Sequence, residues 1–209
     1  MALIKLNNKA VSNATAFGSI SSLGSMTFIK KLTASGSANL SFVDGSSSVV
    51  LDNTYKEYLF TFKDIHPASD NRDLYVNFSV DTGSNYNVTK TSTNFVAYNA
   101  EGDNDRALEY SPGQDLAQST AFQSLTGGYG GIGADADQSL SGYLHLFNPS
   151  STTFVKHFIA RVNISNQINF SVDNHIAGYG NTTSAIDAVQ FKMSSGNMDA
   201  GDICLYGIA

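Results

Sequence analysis

The sequence predicts an all-β protein: an antiparallel two-sheet sandwich, jelly-roll-like, with an extended N-terminal arm. Three observations predict it. Apolar residues recur at every second position, as in Leu74, Val76 and Phe78 set against Tyr75, Asn77 and Ser79. That is the period of a strand with one buried face. Turn-forming clusters separate such runs, among them Asp44-Gly45 and Asn148-Pro149-Ser150-Ser151. And no strand run alternates with a helical pattern of about 10–15 residues, which disfavours an α/β fold.

The elements follow in order. Residues 1–24 are rich in small residues with scattered apolar ones, Leu3, Ile4, Leu6, Val11 and Phe17. They read as an arm whose apolar anchors dock in a neighbour's grooves, with Gly and Ser supplying bends. Residues 25–209 read as one sandwich domain. Met26 to Leu32 is the first strand candidate, and Ala38, Leu40 and Phe42 mark the second. In residues 55–63 the aromatic Tyr58, Phe60 and Phe62 share one face, and this enrichment favours strand over helix. Leu74 to Val80 gives the cleanest alternation, and Phe95 to Tyr98 a short strand. Residues 99–138 hold no clear period, with a short helix expected over Ala117 to Leu125. Such a long excursion between strands is the expected functional surface. Strand patterns resume at Leu140, Phe154, Phe170, Ile186 and Ile203. About nine to eleven strands with apolar faces are most economically buried as two packed sheets.

Composition bounds the role. The chain has 209 residues, 42% of them hydrophobic, enough for one substantial core. Only 14% are charged, against about 25% in a usual soluble chain, so an uncharged polar surface or one hidden in an assembly is expected. The net charge is −6 and Lys30-Lys31 is the only adjacent basic pair, which argues against nucleic acid as a partner. No apolar run approaches about 18 residues, so no membrane partner is expected and synthesis is placed in a cytoplasm. The single cysteine, Cys204, rules out an internal disulfide and reads as buried core filler between Ile203 and Leu205.

Candidate chemistry is sparse. His66, His145, His157 and His175 form no metal-ligand spacing. Asp103, Asn104 and Asp105 begin like a calcium loop, but Leu108 and Gln114 stand where such a loop needs Gly and Glu. Asp135 and Asp137 follow a Gly-rich stretch and complete the weak calcium candidates; no cofactor is expected. Glu57, Glu101 and Glu109 are the only glutamates, and no nucleophile elbow or phosphate loop occurs, so no enzymatic role is expected. Tyrosine is more informative. Tyr86, Tyr98, Tyr110, Tyr129 and Tyr179 sit in or beside polar, Gly- and Asn-rich segments, where they can stack on a sugar or fill a protein interface at little entropic cost.

Several segments resemble a known group of proteins. The opening MALIKLNN with its Ser/Ala/Thr/Gly-rich lead is one. A second is the pattern of Tyr55, Tyr58, Phe60 and Phe62, then Pro67, Ala68 and Asp70, then Gly83, Ser84, Tyr86 and Asn87. The stretches LHLFNPSSTTFVKHF and FKMSSGNMDAGDICLYGI are others. Together they resemble virion structural proteins of tailed bacteriophages infecting marine bacteria. The resemblance implies a fibre, adaptor or decorating subunit, assembled as a homo-oligomer, with a trimer favoured. It implies other virion proteins as partners, the virion as location and a host-surface glycan as a candidate ligand. A carbohydrate-binding module and a polysaccharide hydrolase stand as alternatives.

Overall fold

The structure, a computed structural model, describes residues 26–209. The expected arm and its anchors Leu3, Ile4, Leu6, Val11 and Phe17 lie outside the described residues. Twelve strands follow one another in the described residues: β1 (Met26–Thr33), β2 (Leu40–Val43), β3 (Glu57–Pro67), β4 (Leu74–Ser79), β5 (Lys90–Ala100), β6 (Arg106–Tyr110), β7 (Gln123–Ser124), β8 (Leu140–Phe147), β9 (Lys156–Ser165), β10 (Phe170–Gly180), β11 (Ala188–Met193) and β12 (Met198–Ile208). They form an eight-stranded sheet, β1-β12-β3-β8-β9-β10-β5-β6, and a four-stranded sheet, β2-β11-β4-β7. Every pairing is antiparallel. The protein is thus an all-β, two-sheet antiparallel sandwich.

The core is built where the period-two pattern is strongest. Tyr58, Phe60 and Phe62 of β3 point inward and are buried, as are Val189, Phe191 and Met193 of β11. Rings from the two sheets interlock edge to face. Phe191 meets Phe60 at 5.4 Å and Phe62 at 5.3 Å, Phe42 of β2 meets Phe60 at 5.3 Å, and Phe78 of β4 meets Phe158 of β9 at 5.5 Å. This geometry sets the positive edge of one ring against the negative face of the next. Between β3 and β9, Gly142 of β8 lets the backbones close in. A Cβ there would collide with the Arg161 carbonyl oxygen.

Four sequence expectations are corrected. Residues Ala117 to Leu125 form no helix; they run as irregular chain into β7. The strand expected only at Phe95–Tyr98 extends over eleven residues, Lys90–Ala100. Its first half carries polar residues inward, Lys90, Ser92 and Asn94, all buried, so no apolar signal announces it. Cys204 is half-buried rather than core filler. It lies opposite Thr61 and Lys31 on the outer side of β12, while Ile203 and Leu205 take the inner side. Finally, β4 buries both faces: Asn77 and Ser79 are as enclosed as Leu74, Val76 and Phe78.

That second buried face of β4 is polar by construction. Asn77 donates through Nδ2 to the carbonyls of Tyr86 and Thr120, at 2.6 and 3.0 Å, and its Oδ1 accepts from the Phe78 N–H. The same Oδ1 accepts from Lys90 Nζ at 2.5 Å, and Lys90 also donates to the Val88 carbonyl at 2.7 Å. Neither acceptor is charged. Burial therefore pushes the Lys90 ammonium down to about 7, because desolvation disfavours the charged form.

Candidate functional site

The sequence placed function in the 99–138 excursion and in five tyrosines, and the structure disperses them. Tyr98 and Tyr129 come together, stacked at 3.7 Å with Phe170 against Tyr129 at 5.0 Å. The Tyr129 hydroxyl donates to Asp105 at 2.7 Å; this bond, with some burial, raises its pKa to about 12. The two rings cover each other's faces. Tyr86 is half-buried, with its carbonyl held by Asn77. Tyr110 is exposed on β6, opposite Phe95, and donates to Asp115. Tyr179 lies on β10 beside His157. The calcium candidates separate as well. Asp103 pairs with Arg106 in the β5–β6 turn, whereas Asp135 and Asp137 lie in the loop before β8. Among the described residues, no three His, Cys, Asp or Glu side chains gather as a metal site requires.

What the structure does gather is the outer face of the eight-stranded sheet. The inner residues of its strands serve the core, and the alternate ones form rows across the surface. One row, from the register, runs Phe28, Tyr206, Leu59, His145, Ile159, Ala177 and Thr93. The next runs Thr61, Tyr143, Arg161, His175, Phe95 and Tyr110. Large apolar side chains on this face are exposed: Phe28 by 56%, Ile159 by 48%, Phe95 by 43% and Tyr143 by 40%. An exposed patch of this kind marks a contact surface more often than single scattered residues do.

The face has two parts. At the Met26 end of β1 it is apolar: Met26 lies opposite Ile208, and Phe28 meets Tyr206 edge to face at 5.6 Å, while further along β1 Lys31 pairs with Asp202 at 3.2 Å. Toward β5 it is mixed and ordered by one carboxylate. Asp173 on β10 accepts from Arg161 Nε at 3.1 and 3.2 Å and from Nη2 at 2.7 Å. His175 Nε2 lies 3.2 Å from the same carboxylate. Partial burial raises the Asp173 carboxyl's pKa, but the Arg161 and His175 contacts outweigh it and hold the group below its usual range. The His175 ring stacks on Phe95 at 4.6 Å and 11°. Two shallow depressions adjoin Tyr143 and Arg161. One of about 210 Å³ lies over Ala177, between Phe95, Ile159 and His175. The other, of about 370 Å³, is bounded by Ser141, Asn163 and Asp173.

Sequence reasoning passed over Tyr143, Arg161, Asp173 and Phe95, and weighed His175 only as a metal ligand. The available signal was two-sidedness. Phe95, Tyr143 and Ile159 are bulky residues at the alternate positions of strands whose other positions already supply a core.

Comparison with known protein families, with curated proteins and with solved structures finds no match for this chain.

Proposed function

We propose that this chain is a structural subunit of a tailed-phage virion, a non-catalytic β-sandwich that assembles through its large sheet. The observation that carries the reading is the apolar corner of the outer face, where Met26 and Phe28, exposed on the first strand described, adjoin the half-buried Tyr206 and Leu59 of β12 and β3. Low charge and the resemblance of the Tyr55–Asn87 stretch to phage virion modules support it. The finer architecture is a jelly roll. In support, the orders β1-β12-β3-β8 within one sheet and β2-β11-β4-β7 in the other have the interleaving that arises when paired antiparallel strands wrap around a barrel. β9-β10 and β5-β6 are hairpins that extend the first sheet.

In this reading the apolar corner packs against a neighbouring copy, and the assembly is a trimer held further by residues 1–24. The experiment is light scattering on the full chain, paired with detection of the chain in density-purified particles. A trimer that Phe28→Asp dissociates, and presence in particles, are the expected results. A monomer at all concentrations, or a chain absent from particles, overturns the proposal.

A further inference from the structure

We infer that the outer face between β8 and β5 is a binding subsite for an uncharged pyranose, with Tyr143 as the stacking platform and the Arg161–Asp173 pair as the hydroxyl clamp. The inference rests on the reading of the outer face as a contact surface, but it concerns the part away from the apolar corner.

The chemistry of the lining selects the ligand class. A sugar ring presents an apolar C–H face and a rim of hydroxyls, each of which both donates and accepts. Tyr143 supplies an exposed aromatic surface on a rigid strand, with Ile159 beside it. Around it the polar atoms alternate in kind. Arg161 spends Nε and Nη2 on Asp173, and its Nη1 has no partner among the described residues, so it is free to donate. Among the described residues Asp173 Oδ1 accepts from Arg161 Nε alone and keeps capacity for a further donor. Asn163 uses Nδ2 on Ser171 and the Val172 carbonyl, leaving Oδ1 to accept. Ser141 Oγ accepts from the Asp64 N–H, leaving its own hydroxyl proton to give. Two donors and two acceptors around one ring suit vicinal hydroxyls.

Charge and size narrow the choice. Arg161 and Asp173 neutralise each other, and the chain carries a net charge of −6, so nothing here draws a polyanion. The depressions of about 210 and 370 Å³ have the scale of one or two sugar rings rather than of a protein segment. Preorganisation favours binding: Asp173 fixes Arg161 and His175, and His175 is stacked on Phe95. Little side-chain freedom is then left to lose.

The test uses the isolated full chain, so it can fail independently of trimer formation and of incorporation into particles. Saturation-transfer NMR is run with the methyl glycosides of glucose, galactose, mannose and N-acetylglucosamine, and with methyl glucuronide as the anionic arm. At least one neutral glycoside is expected to show transfer at its ring C–H protons. Tyr143→Ala is expected to weaken that binding about tenfold, Tyr143→Phe to preserve it, and Asp173→Asn to weaken it by freeing Arg161. Amide spectra of each variant report the fold. No transfer to any neutral probe, binding indifferent to Tyr143→Ala, or binding of glucuronide alone each overturns the inference.

Discussion

Replacing the buried Lys90 with Met should change not only how stable the protein is but how its stability responds to pH. In the folded chain Lys90 is fully enclosed and donates only to neutral oxygens, and its pKa falls from 10.5 to about 7. Between those values the unfolded chain holds the proton and the folded chain does not, so stability rises with pH across that window. Every tenfold loss of proton affinity on folding is worth ~1.4 kcal/mol, so the ammonium costs the fold about 5 kcal/mol below pH 7. Lys90→Met removes that cost and loses two hydrogen bonds of about 1 kcal/mol each. The variant should therefore be the more stable by about 2–3 kcal/mol at pH 7, with the difference shrinking to about zero by pH 9.5. The upper limit is chosen because Tyr58 and Tyr129, whose pKa values are raised, withdraw stability once unfolded tyrosine ionises near 10. Urea unfolding followed by far-ultraviolet circular dichroism at several pH values reads both proteins. Lys156, lowered by burial in the same direction, contributes equally to each and cancels in the difference. Parallel stability–pH curves for the two proteins refute the reasoning.

Three further outcomes are expected. Phe191→Ala, which empties the site where three rings converge, should cost about 3–5 kcal/mol in urea unfolding; a loss under about 1 kcal/mol contradicts the packing described. Gly142→Ala forces a Cβ against the Arg161 carbonyl and to 2.7 Å from Val162 Cα, and should lower stability by about 1–3 kcal/mol, read as a fall in Tm. At His66, partial burial opposes the charge, but the Asp199 carboxylate at 2.7 Å and the Asp135 carbonyl outweigh it and raise the pKa. Its contribution is full below the unfolded value near 6.5 and is lost as pH rises through the folded value. NMR titration should show the imidazole titrating at lower pH in Asp199→Asn; an unmoved titration removes Asp199 as the cause.

The fold was readable where inward positions are apolar. β3, β4, β9 and β11 each carry several buried aliphatic or aromatic residues at alternate positions, and two packed sheets follow from counting such strands. It was unreadable where inward positions are polar. The start of β5 hides Lys90, Ser92 and Asn94 behind residues 111–124, with Ser92 bonded to Gln123 and the Leu116 N–H. The Lys90 and Ser92 side chains are held there by hydrogen bonds that only the fold creates. β6 is exposed at all five positions and β7 has two residues, so neither carries a period. The candidate site was hidden for a different reason. Glycine- and asparagine-rich loops drew attention to Tyr98 and Tyr129, yet these stack on each other. Tyr143, Arg161, Asp173 and His175 come from three separate strands, and only the register shows that they are neighbours.

The pairing of β1 with β12 sets Met26 directly across from Ile208. The first and last strands of the sandwich therefore open at one shared corner, beside the apolar patch and away from β6. A tag, fluorophore or cargo fused at residue 209 emerges at that corner, beside Met26. Pro112 and Gly113, which follow β6 at the other edge of the eight-stranded sheet, stay clear of such a fusion. Joining the two strand ends with a short linker and cutting at Pro112–Gly113 rearranges the order of the polypeptide without crossing the core.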